Sequence, residues 1–80
     1  MTKEEQYARG KEAITRLLPL FKKYHLAPLL HWHVRDKKYV IQARPAGKMY
    51  PTFHVGSAES FSKMTAQKQE EKLQSITTKL

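Results

Sequence analysis

His31 and His33 stand two residues apart in Leu30-His31-Trp32-His33-Val34-Arg35, where apolar residues hold the even positions and polar ones the odd. That alternation predicts a strand with one buried face, and it points both imidazoles the same way, as a pair of metal ligands would need. No third ligand completes the set. A hairpin register consistent with the pattern puts His54 beside Lys38 and away from His31, no carboxylate falls on that face, and the neighbouring cations would repel a dication. No metal and no cofactor is expected. Apart from Asp36 in a turn, every carboxylate lies in a segment that should be helical, and no nucleophile has an identifiable base and orienting group. The absence of cysteine removes thiolate chemistry, disulfide staples and zinc ribbons together. An enzyme is not expected.

What the polar face does carry is positive charge interleaved with flat rings. Arg35, Lys38, Arg44 and Lys48 fall there with Tyr50, His31, His33 and His54 among them, and Lys37 sits in the adjoining turn. Cations neutralise phosphates, while rings and planar guanidinium groups stack on bases or reach base edges. Arg35, Arg44 and Tyr50 are the best placed to touch bases. A formal net charge of +8 over 80 residues, with a pI near 9.9, favours an anionic partner and excludes a nucleic-acid mimic. Two other interpretations compete. The face could be a solvated surface whose charge blunts edge pairing, or it could dock on an acidic surface of a partner protein, a nucleic-acid enzyme among the candidates.

Three strands and two helices must position these side chains. Thr2, Lys3, Glu4 and Glu5 form a capping-box pattern, so a helix starts there. Tyr7, Ala13, Ile14, Leu17, Leu18, Phe21 and Tyr24 then recur at three- and four-residue spacing as one apolar stripe reaching His25. Pro19 removes a hydrogen bond and crowds the preceding turn at a cost of about 3 kcal/mol, which predicts a kink or break between residues 15 and 19. Ala27-Pro28 ends the element, because the residue before proline is pushed out of the helical region. A two-residue loop at Asp36 and Lys37 closes the first hairpin, pairing Val34 with Tyr39, Trp32 with Ile41 and Leu30 with Ala43 on one face. His31, His33, Arg35, Lys38, Val40, Gln42 and Arg44 take the other, with only Val40 out of character. Trp32, pointing inward, is expected at the centre of the core. Pro45-Ala46-Gly47 suits a three-residue loop with Gly47 left-handed and a bulge. Met49, Phe53 and Val55 then face inward, and Lys48, Tyr50, Thr52 and His54 outward. Pro51 cannot donate to a ladder, so this strand should be an edge. Beyond Gly56, the residues Ala58, Phe61, Thr65, Ala66, Gln69, Leu73, Ile76 and Leu80 line one long helix with a polar middle.

Helix, three-stranded antiparallel sheet, helix is also the order of double-stranded-RNA-binding domains. The run from Tyr39 through Gly47-Lys48-x-Tyr50 to Ser57 resembles that family's second and third strands, and residues 17–29 are similar to its first helix and exit. That likeness implies binding across the minor groove of duplex RNA. The family's glycine-proline-histidine loop is here the tight Asp36-Lys37 turn, and the lysine cluster opening its second helix is reduced to Lys63, which tips the expected partner toward DNA. Residues 31–66, three strands and a helix with a basic, aromatic open face, resemble the arm-site-binding domains of phage integrases and the related plant ethylene-response DNA-binding fold. In those families the sheet enters the DNA major groove, which implies that role for Arg35, Lys38, Arg44, Lys48 and Tyr50. A small phage-type or regulatory protein is the kind of molecule this likeness implies.

The expected architecture is one α+β domain over residues 1–80, ordered α-β-β-β-α, with both helices on one face of a three-stranded antiparallel sheet. Hydrophobic residues at 40% and charged residues at 28% suit a globular chain, although a single core at this length is marginal. Apolar runs of about five residues fall far short of the roughly twenty that span a bilayer. Lys11, Lys22 and Lys23 could rest a helix on a membrane, but the apolar stripe is better used covering the sheet. With no signal-peptide pattern either, a cytoplasmic protein with no membrane partner is expected. The expected function is non-enzymatic nucleic-acid binding, DNA favoured over RNA, with an acidic protein partner as the alternative. The two amphipathic helices are also compatible with a homodimer.

Overall fold

Thr2 caps the first helix as its side chain predicts, its hydroxyl oxygen accepting from the Glu5 N–H at 3.2 Å and its hydroxyl pointing at the Glu5 carboxylate at 3.2 Å. From there α1 (Lys3–Lys23) runs unbroken through Pro19. The expected break does not occur, and the reason is energetic. Pro19 lies on the exposed side, where water can serve the orphaned carbonyl. On both sides of it the stripe is anchored: Ala13 and Phe21 are buried, and Ile14, Leu17 and Leu20 pack against the core. Burying such side chains is worth roughly 1.5–3 kcal/mol each, more in sum than the proline costs.

The helix ends at Tyr24, and His25 at φ 57° takes the left-handed position after the cap. Ala27 and Pro28 are therefore not a helix exit but lie inside β1 (Leu26–His33), an edge strand, where a proline is tolerated. In this computed structural model, which describes residues 2–79, β2 (Lys38–Pro45) and β3 (Phe53–Ser57) follow, then α2 (Ala58–Lys63) and α3 (Ala66–Thr77). The sheet is antiparallel throughout, in the order β1-β2-β3.

The first hairpin keeps the expected faces but not the expected register. Trp32 pairs with Tyr39, Leu30 with Ile41 and Pro28 with Ala43, each two residues away from the expected partner. The loop holds four residues, Val34, Arg35, Asp36 and Lys37, of which only Lys37 has a positive φ, at 50°. A two-residue loop would have needed left-handed backbone at residues that are not glycine. The shift ejects Val34 into solvent, 76% exposed, and brings Leu26 into the core at 2%. Because it is an even number of residues, no side chain changes face.

The third strand is shorter than expected. Gly47 is left-handed at φ +80°, as foreseen, and closes a turn in which the Lys48 N–H reaches the Pro45 carbonyl at 3.1 Å. The chain then stays irregular to Thr52, with Tyr50–Pro51 in the cis form. Met49 is thus exposed rather than inward, and Lys48, Tyr50 and Thr52 belong to a loop rather than a strand. The bulge sits at Val55, between the pairs His54–Gln42 and Gly56–Ile41. There Gly56 adopts φ +153°, a conformation open to glycine. Phe53 and Val55, two residues apart on the strand, share the core face.

The expected single C-terminal helix is two. Met64 is extended, and Thr65 caps α3 by accepting from the Lys68 N–H at 3.3 Å. Gln69 is buried at the elbow, its amide donating to the Phe61 carbonyl at 2.8 Å. Leu80, the last member of the expected stripe, lies outside the described residues. Phe21, Phe61, Leu73 and Ile76 from the three helices meet Leu26, Ile41, Ala43 and Val55 from the sheet in one core cluster, so all the helices cover the same face. Trp32 is not at its centre. It is half-buried at the rim, edge-on to Tyr39 at 4.9 Å, with the Lys3 ammonium 4.8 Å above its ring. Among the described residues no helix is long and apolar enough to cross a membrane.

Candidate nucleic-acid interface

The face the helices leave bare is set by strand parity. His31 and His33 of β1 stand opposite Val40 and Lys38 of β2; Arg44 stands opposite Ala27, and His54 of β3 opposite Gln42. Lys38, His31 and His54 are exposed and Arg44, His33 and Gln42 half-exposed. Val40, the residue out of character, is 2% exposed at the centre of the face, flanked by His31 and Ser57. The strands carry no carboxylate. Asp36, in the turn, bonds locally: its N–H donates to His33 Nδ1 at 3.3 Å, which sets its carboxylate beside the same ring.

Of the eight residues expected at the interface, His31, His33, Lys38 and Arg44 thus share the outer face. The others flank it at opposite ends. Arg35 and Lys37 occupy the β1–β2 turn, while Lys48 and Tyr50, the latter 78% exposed, occupy the β2–β3 loop. From Lys38 to Arg44 the strand spans about 20 Å at roughly 3.3 Å per residue. The cations therefore form two groups separated by a middle band of Leu29, His31, Val40, Gln42 and His54, not a continuous stripe. Among the described residues no three metal-ligating side chains come together.

A second basic surface was hidden from sequence reasoning. At the turn end of the sheet a cleft of about 760 Å³ opens between α1, the start of β2 and α2, lined among others by Arg9, Arg16, Lys37, Lys38, Tyr39 and Lys63. Glu59, an exposed member of its lining, is already engaged: the Lys63 ammonium at 2.9 Å, with Arg9 adding a smaller share, holds its carboxyl below the ordinary range. Among the described residues Arg9, Arg16, Lys37 and Lys38 form no ion pair. The strand edge is open here too, because β3 pairs with β2 only from Val40 onward, leaving Lys38 and Tyr39 a ladder partner on the β1 side alone. The seven-residue spacing of Arg9 and Arg16, two turns along one side of α1, was the available signal. Nothing in the sequence said that α2 would face that side. Compared with known protein families, with curated proteins and with solved structures, the chain matches none.

Proposed function

We propose that this chain is a non-enzymatic nucleic-acid-binding protein that uses the outer face of its sheet and the loops at both ends, with DNA favoured over RNA. One observation carries the proposal: the helices bury one side of the sheet, and the strands' other side presents Lys38, Arg44 and three imidazoles with no carboxylate. A surface of that composition neutralises phosphates, and its planar groups can meet bases. Arg35, Lys37 and Lys48 extend the positive charge past both ends of β2, and the exposed Tyr50 ring is free to stack.

Salt dependence tests this directly. On duplex DNA each engaged cation contributes about 0.9 to the slope of log K against log salt. Lys38→Gln or Arg44→Gln should each flatten the slope by about one unit, whereas Lys68→Gln and Lys72→Gln on α3 should leave it unchanged. Absence of binding to duplex DNA, single strands and duplex RNA at about 50 mM salt, where cationic binders are favoured, would overturn the proposal. The second reading, an adaptor docking on an acidic protein surface, is favoured by the exposed Val34 and Met49 at the two loop ends, at 76% and 68%. It predicts a saturable protein complex that survives nuclease and is not displaced by DNA.

A further inference from the structure

The cleft between α1 and α2 reaches in to the buried Gly10 and Ala58 and meets the outer face at Lys38, which belongs to both. Arg9, Arg16, Lys37 and Lys38, which form no ion pair among the described residues, line it and with Lys63 outnumber its two carboxylates, Glu12 and the already engaged Glu59. Their mutual repulsion is relieved by an anion, and their number suggests its charge. Arg9 and Arg16 lie about 10 Å apart along the helix at 1.5 Å per residue, and together with Lys37 and Lys38 they carry more positive charge than one phosphodiester offsets. Two successive phosphates suit them better. Tyr39 also lines the cleft, and its ring is held edge-on by Trp32 at 4.9 Å and by Tyr7 at 5.5 Å. Its volume of about 760 Å³ falls in the range of roughly 300–1,000 Å³ that encloses a ligand of nucleotide size, and a base-paired duplex cannot enter it.

We infer that this cleft binds an unpaired nucleic-acid segment of one or two nucleotides, its phosphates on Arg9, Arg16, Lys37 and Lys38 and a base against Tyr39. The inference rests on the nucleic-acid reading and narrows it: the preferred partner is a nucleic acid with a single-stranded stretch beside the part that lies on the sheet. Lys38 then serves as the corner at which the strand leaves the outer face.

Fluorescence anisotropy with a labelled blunt duplex, the same duplex carrying a two-nucleotide overhang, and the free single strand separates the two claims. The overhang should tighten binding by about tenfold, the scale of one stacked base with its phosphates. Arg9→Gln/Arg16→Gln, which alters only exposed side chains, should abolish that gain and flatten the single-strand salt slope by about 1.4, at 0.7 per contact, while leaving blunt-duplex affinity unchanged. Added dithymidine phosphate should shift the amide resonances of residues 57–63 in the intact protein. Equal affinity for blunt and overhanging duplexes, an unaffected double variant, or resonance shifts confined to the outer face would overturn the cleft assignment with the sheet reading intact. Loss of all nucleic-acid binding in the unaltered protein would remove both.

Discussion

Gly10 is buried where α1 crosses β1, and a Cβ built on it would lie 2.9 Å from both methyl carbons of Leu30. Apolar carbons sit best at about 3.5–4.0 Å, so Gly10→Ala forces the Leu30 side chain off its position or lifts the helix from the strand. Two effects oppose each other. Alanine gains about 1 kcal/mol of helix propensity over glycine, and overpacking a fitted contact costs about 1–3 kcal/mol. Taking the middle of that range, Gly10→Ala should destabilise by about 1 kcal/mol, which lowers the melting temperature of a domain this size by about 4–8 °C. The sign should reverse in a Leu30→Ala background, where the obstructing methyls are gone and only propensity remains. There the same substitution should stabilise by about 1 kcal/mol, giving a coupling of about 2 kcal/mol, well beyond the 0.3–0.5 kcal/mol scatter of independent sites. Urea unfolding of the four proteins, followed by circular dichroism, measures all three quantities. Stabilisation by Gly10→Ala in the unaltered background, with no coupling to Leu30, would show that α1 does not rest on β1 at this point.

Three further outcomes are expected. Trp32→Ala should cost about 2 kcal/mol, less than the 3–5 typical of a fully buried aromatic, because the ring is at the rim; blue-shifted fluorescence inaccessible to iodide would place it in a sealed core instead. Gln69→Leu should cost about 1 kcal/mol by removing the donor to the Phe61 carbonyl, which keeps only the Met64 N–H at 3.2 Å; an unchanged urea midpoint would show that the amide does not hold the elbow between α2 and α3. The Lys23 ammonium, then the Tyr24 hydroxyl, hold the Glu70 carboxyl below its ordinary value, so its contribution is present above the unfolded pKa and fades as pH falls through the folded one. The stability difference between the unaltered protein and Glu70→Gln should thus be constant from roughly pH 5 to about pH 9, while Lys23 and Tyr24 keep their protons, and shrink on further acidification. A difference that does not change with pH would leave the link between α1 and α3 without an energetic role.

The faces of the sheet were legible because side-chain period is two and the apolar residues of β1 and β2 obey it. The register was not, since pairing Trp32 with Ile41 or with Tyr39 buries the same face; turn chemistry decides between them, through the single left-handed residue Lys37. Lys48, Met49 and Tyr50 alternate as a strand would, yet a turn at Gly47 and a proline at 51 leave them no ladder. The break before α3 had a visible signal in Thr65 followed by a helix-forming run. A continuous helical stripe across it masked that cap. For the interface, His31, His33, Lys38 and Arg44 follow from strand parity alone, whereas Arg9 and Arg16 join Lys38 only through the packing of α1 and α2 at the end of the sheet.

A three-stranded sheet has two open edges, and each is a template on which another chain could grow. Here the outer edges of β1 and β3 are both spoiled by features already seen, and the short stretch of β2 that β3 leaves uncovered carries the cation Lys38. Pro28 interrupts the donors of β1, and the bulge at Val55 coils the short β3 away from a straight ladder. A one-residue slip of β3 would also carry His54 into the core, so the strand has no neighbouring register in which to trade partners. The fold is thereby guarded against fibre growth at the cost of a few ladder bonds, and a second copy of the chain would find the sheet's edges the poorest place to attach.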